Sequence, residues 1–274
     1  MGVFEGIRAY QTAEGVAVFQ LQAHIDRLFD SAHIMNMAMP YTKNEIIEAV
    51  IQSVRENHLQ NAYIRPMVFY GSEGLGLRAE GLSTQVIVAA WDWGAYISEK
   101  ALQEGIRVRT SSFTRHHVNI SMTRAKTNGN YINSMLALQE ALSSGADEAM
   151  LLDPEGYVAE GSGENIFLVK EGTLYTPEVT SCLNGITRKT VVTIASDLGL
   201  KLVEKRITRD EVYIADEAFF TGTAAEIMPI KEVDGREIGS GYRGRGPVTE
   251  QLQSAYFNAV SGRSKAYESW LTLV

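Results

Sequence analysis

Lys126 is the side chain with the clearest potential for covalent chemistry, because it lies where a loop of small and polar residues gives way to a predicted helix. The loop residues 127–130, Thr-Asn-Gly-Asn, form turns readily and helices poorly. A lysine on such a loop can be partly buried, and a partly buried amine loses some of its affinity for protons. The unprotonated amine is the form that attacks carbonyl groups. A single lysine is most often a solvated surface residue, so this prediction depends on the motifs that accompany it.

The segment EGSGEN at 160–165 supplies a carboxylate, Glu160, at the end of a predicted strand. The glycines beside it permit another molecule to approach the backbone closely. A carboxylate held at such a position can keep a heteroaromatic nitrogen protonated. The competing interpretation is a glycine bulge flanked by solvated acids.

Two further segments could hold a phosphate group. LNGITR at 183–188 opens a predicted helix, with Thr187 as its expected capping residue, and a helix N-terminus presents N–H groups and a partial positive charge. TGTAAE at 221–226 combines small side chains, which leave room for a ligand, with hydroxyl groups that can hydrogen bond to it. Taken alone, the first segment is a capped helix without a ligand and the second is a tight turn.

Together these motifs supply an amine for a carbonyl group, an acid for a ring nitrogen, and N–H and hydroxyl groups for a phosphate. A carbonyl group, a ring nitrogen and a phosphate are the three groups through which a protein can bind pyridoxal 5'-phosphate. The sequence therefore predicts a site for this cofactor. No metal site is predicted, because the single cysteine, Cys182, cannot build a zinc cluster or a disulfide within one chain.

The loop that carries the lysine is followed by a predicted helix. Tyr131, Met135, Leu138 and Leu142 recur at three- and four-residue spacing, which predicts that this stripe is buried.

Local patterns also predict further helices and a strand. A helix is predicted over 22–35, with Arg27 outside its apolar stripe, where a solvated arginine and a ligand-binding arginine look the same. Thr42 and Glu45 have the spacing of a capping box that opens the next helix. A strand rich in branched and aromatic residues is predicted at 62–70.

Predicted hairpins outnumber strand–helix–strand units, which favours an α+β fold with antiparallel or mixed sheets. The 274 residues suffice for two modest domains, and the sequence changes character around residues 91–96, where aromatic residues crowd together. We therefore expect a small domain at 1–90, an interdomain linker at 91–104 and a large cofactor-binding domain at 105–274.

The amino-acid composition argues against some classes of binding partner. Hydrophobic residues make up 45% of the chain, charged residues 21%, and the net charge is −8, so an ordinary packed core is expected and a basic nucleic-acid-binding face is not. No apolar run approaches the length needed to cross a bilayer, so no membrane partner is expected. A single cysteine is typical of a reducing compartment, and the expected location is cytoplasmic.

Eight blocks in order carry a resemblance that extends from Val3 essentially to the end of the chain. They are VFEGIRAY (3–10), HIDRL (24–28), AYIRP (62–66), WGAY (93–96), AKTNGNY (125–131), EGSGENIF (160–167), LNGITR (183–188) and TGTAAE (221–226). In these blocks the sequence resembles the branched-chain amino acid aminotransferases, in the fold-type IV class of pyridoxal-phosphate enzymes. The resemblance implies a two-domain fold of the kind found in D-amino acid aminotransferase.

The resemblance also implies roles around the cofactor. Lys126 is expected to form the internal Schiff base and then to move the proton between the substrate Cα and the cofactor. Glu160 is expected to pair with the pyridine nitrogen, Tyr131 with the phenolic oxygen, and Arg27 with the phosphate. The remaining cofactor contacts expected from the resemblance are Leu183, Gly185, Ile186, Thr187 and Thr223.

The implied reaction transfers the amino group of leucine, isoleucine or valine to 2-oxoglutarate, in branched-chain amino acid biosynthesis or metabolism. Arg65 resembles the arginine used for the second carboxylate of glutamate or 2-oxoglutarate. The other implied substrate contacts are Phe4, Tyr63, Tyr96 and the turn of Thr223, Ala224 and Ala225. The loop around Gly74-Leu75-Gly76 resembles a segment that reaches into a neighbouring subunit, which implies a homo-oligomer, either a dimer or a hexamer.

Other activities of the same fold remain open at this stage: D-amino acid or (R)-amine transamination, or the lyase reaction on 4-amino-4-deoxychorismate. The spacing of Tyr63 and Arg65 in YIR favours the branched-chain interpretation. Family members carry a further N-terminal segment before VFEGIR. We therefore expect a small domain that lacks its first segment and one pocket wall, and a truncated, catalytically impaired cofactor-binding protein is a further alternative.

Overall fold

The computed structural model describes residues 1–74, 76–93, 99–239, 241 and 244–274. Its helices are α1 (Leu21–Ile34), α2 (Lys43–Glu56), α3 (Glu99–Glu104), α4 (Asn130–Ser143), α5 (Ile186–Asp197), α6 (Arg209–Tyr213) and α7 (Pro247–Val260), with a 3-10 helix at Lys265–Trp270. Its strands are β1 (Gly2–Phe4), β2 (Ile7–Thr12), β3 (Gly15–Phe19), β4 (Ala62–Tyr70), β5 (Thr84–Asp92), β6 (Ile106–Thr110), β7 (Glu148–Leu152), β8 (Val158–Gly161), β9 (Asn165–Lys170), β10 (Thr173–Thr176), β11 (Leu202–Glu204), β12 (Glu217–Gly222), β13 (Glu226–Val233), β14 (Arg236–Glu237) and β15 (Leu271–Leu273).

The chain forms two compact units. Unit 1 consists of Met1–Gly94, Arg124–Gly129 and Asn258–Val274, and unit 2 consists of Ala95–Thr123 and Asn130–Phe257. The short segment with Lys126 therefore belongs with the N-terminal residues, although it is distant from them in sequence. The domain boundaries expected from the sequence, 1–90, 91–104 and 105–274, stay a prediction.

Unit 1 is built on a sheet whose described strands run in the order β1-β4-β2-β3-β15, with β5 also paired to β4. β4 and β5 pair antiparallel along their whole length, from Ala62 opposite Asp92 to Tyr70 opposite Thr84. The predicted capping box of α2 is confirmed, because the Thr42 hydroxyl accepts from the Glu45 N–H and the Glu45 carboxylate accepts from the Thr42 N–H. Buried apolar residues of β2, β4, α1 and α2 form the core: Ile7, Ile25, Leu28, Val50, Ile64 and Val68.

Unit 2 is built on a second sheet, whose described strands run in the order β11-β10-β9-β12-β13-β6-β7-β8, with β14 on β13. The pairs β7–β8, β9–β10 and β12–β13 are antiparallel hairpins, whereas β6 pairs parallel with both β7 and β13. The mixed sheet confirms the α+β prediction. Its core contains Met150, Ile166, Leu168, Phe220 and Ile230.

The predicted buried stripe of α4 is wrong. Met135 is 60% exposed and Leu142 is 54% exposed. The buried face is instead Asn130, Ser134, Ala137 and Ala141, and its alanines pack on Ala149 and Leu151 of β7. Both stripes have helical spacing, and small side chains are the ones that let a helix backbone approach a sheet closely.

The expected cap of α5 is also wrong, because the helix begins two residues earlier than predicted. Gly185 is the N-cap, with extended backbone, and Thr187 lies inside the first turn. The Thr187 side chain is buried. The helix N-terminus therefore presents the backbone N–H groups of its first turn without a side-chain cap.

Candidate active site

The backbone of Lys126 is fixed within unit 1 by two elements. Its carbonyl oxygen accepts a hydrogen bond from the Phe4 N–H at 3.0 Å, at the end of β1. Its own N–H donates to the Ser31 hydroxyl oxygen of α1, also at 3.0 Å. Val3 and Thr127 form an isolated antiparallel bridge beside these contacts. The lysine is thus held as if on an added strand, which limits the directions that its side chain can take.

The Lys126 side chain is half-buried and lies over an aromatic ring. Its Nζ is 4.9 Å from the centroid of the Phe4 ring. An ammonium group is attracted to the face of such a ring, and the apolar neighbour also limits its hydration. This placement agrees with the expectation of a lysine that is not simply solvated.

Arg27 of α1 pairs with a buried carboxylate that the sequence analysis did not single out. Its Nε lies 2.6 Å from Oε1 of Glu5 and its Nη2 donates to Oε2 at 2.9 Å. The Nδ1 atom of His24 lies 2.7 Å from the same Oε2. Burial would raise the pKa of Glu5, but the charge of Arg27 and the hydrogen bond from His24 outweigh it and hold the pKa well below its usual range. Glu5 is therefore an ionised carboxylate, and His24 donates to it.

His24 stays neutral next to this carboxylate. Burial lowers the pKa of His24, the contacts with Glu5 raise it, and the charges of Arg27 and Lys126 lower it further. The net shift is downward.

Arg65 of β4 is the other arginine near Phe4. Its guanidinium carbon is 4.6 Å from the centroid of the Phe4 ring, and its Nη2 donates to the Tyr63 hydroxyl at 2.9 Å. Arg65 thus contacts both Phe4 and Tyr63, the other two residues that the resemblance assigned to the substrate. A cation held by two aromatic rings and one hydroxyl, rather than by a carboxylate, can exchange those contacts for an anion at modest cost.

The orientation of Tyr63 is set by its neighbours. Its ring stacks on Trp93, with the ring centroids 4.4 Å apart. A Cβ at Gly6 would lie 2.1 Å from the Tyr63 hydroxyl oxygen, so glycine at this position leaves room for the phenol. Tyr96 lies outside the described residues, and its predicted contact with the substrate stays a prediction.

Within unit 2, Glu160 at the end of β8 is buried and lies against Arg115. The Arg115 Nε is 2.7 Å from Glu160 Oε1, an ion pair rather than a well-aligned hydrogen bond. The Leu183 N–H donates to Glu160 Oε2 at 3.2 Å, which ties the carboxylate to the segment before α5. Arg115 also donates to the carbonyl oxygen of Asn130, at the start of the helix that carries Tyr131.

The N-terminus of α5 is held against β9 by Asn165. The Asn165 Oδ1 accepts from the Gly185 N–H at 3.2 Å, while its Nδ2 donates to the Leu183 carbonyl oxygen at 2.8 Å. A Cβ at Gly185 would lie only 2.1 Å from Asn165 Oδ1, so glycine is required for this close approach. The loop therefore presents the first N–H groups of α5, those of Ile186 and Thr187, in a fixed position.

The third predicted motif is the hairpin loop between β12 and β13. Residues 223–225 form a three-residue turn, followed by Glu226 with a positive φ of 54°. A short loop that ends in a residue with positive φ is a common hairpin geometry. Next to the turn, the Thr221 hydroxyl is buried and has no hydrogen-bond partner among the described residues.

The sequence analysis missed Glu5, His24, Arg115 and Asn165. Glu5 had a detectable sign, an acidic residue that directly follows Val3 and Phe4 in a segment predicted to be a strand. Arg115 had none, because nothing near it in the chain distinguishes it from a surface arginine. Among the described residues there is no group of His, Cys, Asp and Glu that could hold a metal ion, and no helix long and apolar enough to cross a membrane.

Comparison with known proteins identifies the family of the chain. The family described as "Amino-transferase class IV" matches residues 2–233. The chain is 74% identical over 274 residues to the branched-chain-amino-acid aminotransferase of Pseudomonas aeruginosa, covering 100% of this chain and 89% of that protein.

The chain is also similar to solved structures of branched-chain amino acid aminotransferases. The structure of the T.th. branched-chain amino acid aminotransferase with pyridoxamine 5'-phosphate has a TM-score of 0.96 and 48% identity, covering 99% of this chain and 89% of that one. The same enzyme complexed with N-(5'-phosphopyridoxyl)-L-glutamate has a TM-score of 0.95 and 46% identity, covering 100% of this chain and 89% of that one. The predicted fold-type IV architecture is therefore confirmed.

Proposed function

The chain belongs to the class IV aminotransferases, and from this membership we propose that it catalyses amino transfer between branched-chain L-amino acids and 2-oxoglutarate, using pyridoxal 5'-phosphate. The amino donors are leucine, isoleucine and valine. The observation that carries this proposal is the identity of 74% over the whole chain to an enzyme of that name.

The residues present fit this cofactor. When bound, pyridoxal 5'-phosphate supplies an aldehyde that takes up an amino group and a pyridinium ring that accepts electrons. Lys126 is the residue whose amine holds the aldehyde carbon and then moves the proton at the substrate Cα. Glu160, which pairs with Arg115, is the carboxylate that holds a proton on the ring nitrogen. Tyr131 donates to the phenolic oxygen.

The phosphate is bound by backbone and side-chain donors. We assign the N–H groups of Ile186 and Thr187 to this role, because the first turn of α5 has no side-chain cap. Arg27 and the Thr223 hydroxyl add one charged and one neutral donor. Leu183 and Gly185 contribute by holding the loop in place, through Glu160 and Asn165.

Dual substrate recognition follows from the pairing of apolar walls with one arginine. Phe4 and Tyr63 supply an apolar surface for leucine, isoleucine or valine. Arg65 lies on that surface and gives up its contacts to Phe4 and Tyr63 when a second carboxylate is present. The N–H groups of Ala224 and Ala225 bind the α-carboxylate that both kinds of substrate share, and Tyr96 completes the substrate contacts.

The test is a coupled assay of glutamate formed from leucine and 2-oxoglutarate by the cofactor-loaded protein. A visible absorption band that changes when leucine is added is the expected companion result. If the band appears but leucine leaves it unchanged and no glutamate forms, the proposed transaminase is wrong and the chain only binds the cofactor. Turnover of D-alanine or 1-phenylethylamine in place of leucine would contradict the proposed donor class.

We further propose a homo-oligomer, a dimer or a hexamer, located in the cytoplasm. Support for assembly comes from apolar side chains of α4 that are exposed in the single chain, Ile132, Met135, Leu136 and Leu142. The loop at 74–76 is the segment proposed to reach the neighbouring subunit, and its Leu75 lies outside the described residues. Light scattering coupled to gel filtration tests the assembly, and a mass equal to one chain would contradict it.

A further inference from the structure

Glu5 is a buried carboxylate on which three side-chain donor contacts converge. It is 0% exposed, and its partners are Nε and Nη2 of Arg27 and Nδ1 of His24. The Gly6 N–H adds a contact to Oε2 at 3.3 Å. Burying an ion is costly unless it is paired and hydrogen-bonded, so an acid in this position requires all of these donors.

The two contacts to Arg27 fix the plane of its guanidinium. Nε and Nη2 form one edge of the guanidinium, and Glu5 takes that edge with both of its oxygens. An arginine side chain otherwise has several rotatable bonds and loses much conformational freedom when it binds a ligand. With Nε and Nη2 held by Glu5, Arg27 has less conformational freedom to lose when a ligand binds.

We propose that Glu5 is a positioning residue for the cofactor phosphate, which it serves by orienting Arg27. This inference rests on the proposed function, in which Arg27 contacts the phosphate. The alternative is that Glu5 only ties the end of β1 to α1, through Arg27 and His24, and has no connection with the ligand.

The geometry leads to an unusual relation between the two residues. While Arg27 is present, its positive charge neutralises the negative charge of Glu5, and the Glu5 carboxylate orients the guanidinium for the phosphate. Without Arg27, the same carboxylate is a buried anion next to a dianionic ligand and repels it. Glu5 therefore helps phosphate binding in the presence of Arg27 and hinders it in the absence of Arg27.

The first experiment is the substitution Glu5→Asp, which keeps the charge but retracts the carboxylate by one methylene. The full chain, cleared of cofactor, is titrated with pyridoxal 5'-phosphate and separately with pyridoxal, which lacks the phosphate. We expect the Kd for the phosphorylated ligand to rise about tenfold, the scale of one charged hydrogen bond, and the Kd for pyridoxal to change less than about threefold. Glu45→Asp, the same substitution at the exposed capping box of α2, is the matched control and should change neither Kd.

A pair of variants keeps the proposal testable if Glu5→Asp folds poorly. Arg27→Met should weaken binding of pyridoxal 5'-phosphate, and adding Glu5→Gln to it should restore affinity by severalfold, because the unpaired buried anion is then removed. A double variant that binds no better than Arg27→Met overturns the proposal. Equal losses for both ligands in Glu5→Asp also overturn it, since they would indicate only a structural tie.

Failure of the proposed function has a different signature. If the unmodified protein shows no visible band and no borohydride-reducible link to Lys126 with either ligand, the cofactor assignment itself is wrong. If the band and the link are present but the phosphate-specific effect is missing, only the role of Glu5 fails.

Discussion

Nε of Arg115 lies 2.7 Å from Oε1 of Glu160, and both side chains are almost fully buried, with exposures of 5% and 8%. The residue assigned to the cofactor nitrogen is therefore held by a cation that sequence patterns did not reveal. A guanidinium at this distance fixes the position of the Glu160 carboxylate. The buried Arg115 of unit 2 thus contacts the carboxylate that the proposed reaction requires at the ring nitrogen.

Replacing Arg115 by methionine should impair both stability and chemistry. Loss of one partner from a buried ion pair costs about 3–5 kcal/mol of unfolding free energy. Without that guanidinium the Glu160 carboxylate loses the contact that holds it in place, so the leucine-driven spectral change should slow about tenfold or more. Arg115→Lys, which keeps a positive charge, should retain more of the rate. Urea unfolding and stopped-flow absorbance measure the two effects, and an Arg115→Met protein with the normal rate would contradict the role given to the pair.

Lys126→Ala should abolish turnover, because no amine remains at this position to hold the aldehyde or to move the proton. Borohydride reduction followed by peptide mapping should find the pyridoxyl group on Lys126 in the unmodified protein. The matched control is Lys43→Ala, an exposed lysine of unit 1 that pairs with Asp26. A reduced pyridoxyl group on another lysine would refute the assignment.

Arg65→Ala should harm the glutamate half-reaction more than the leucine half-reaction. Only glutamate has a second carboxylate that requires the arginine, whereas leucine needs the apolar walls. A loss of about 1.5–3 kcal/mol, the scale of a charged hydrogen bond, corresponds to roughly 10- to 100-fold in kcat/KM for glutamate. Single-turnover rates with each amino acid measure the difference. Equal losses for the two substrates would remove the reason for assigning Arg65 to the second carboxylate.

Asn165→Ala should loosen the segment that presents the N-terminus of α5. The side chain makes two hydrogen bonds to that segment, one to Gly185 and one to Leu183. Their loss in a part-buried position should cost about 1–3 kcal/mol of stability and weaken binding of pyridoxal 5'-phosphate more than of pyridoxal. Asn57→Ala, which removes one exposed hydrogen bond at the end of α2, is the control and should affect neither property measurably. Titration of both ligands checks the result, and unchanged affinities would show that the N-terminus of α5 does not depend on Asn165.

Stability should fall as the pH is lowered, partly through His116. Burial, together with the charge of Arg115, lowers the pKa of His116 from 6.5 to about 4. Between these values the unfolded chain binds a proton that the folded chain does not, so this contribution to stability is complete above about pH 6.5 and is lost toward pH 4. The total loss should be modest, because His116 is only half-buried and solvent screens its charge.

Urea unfolding at pH 7 and at pH 5 tests the effect of His116. His116→Gln should lose less stability between the two pH values than the unmodified protein. Part of the slope should remain, because the pKa of His24 is also lowered. An identical loss in both proteins would show that His116 does not contribute.

Local sequence determined the elements of this protein well. The strand at 62–70 and the capping box of α2 agree with the structure, because branched residues and a Thr–Glu pair act on their immediate neighbours. The order of short motifs, from VFEGIRAY to TGTAAE, also identified the family, and Lys126 and Glu160 as candidates, without any coordinates.

Tertiary structure alone decided which faces and charges come together. The periodicity of α4 permitted two buried stripes, and contact with β7 selected the small one, with Ala137 and Ala141. The pairing of Glu160 with Arg115, and of Glu5 with Arg27, joins segments that are far apart in the chain. Such pairs leave no local pattern, because a buried charge is stabilised by whichever partner the packed fold brings near it.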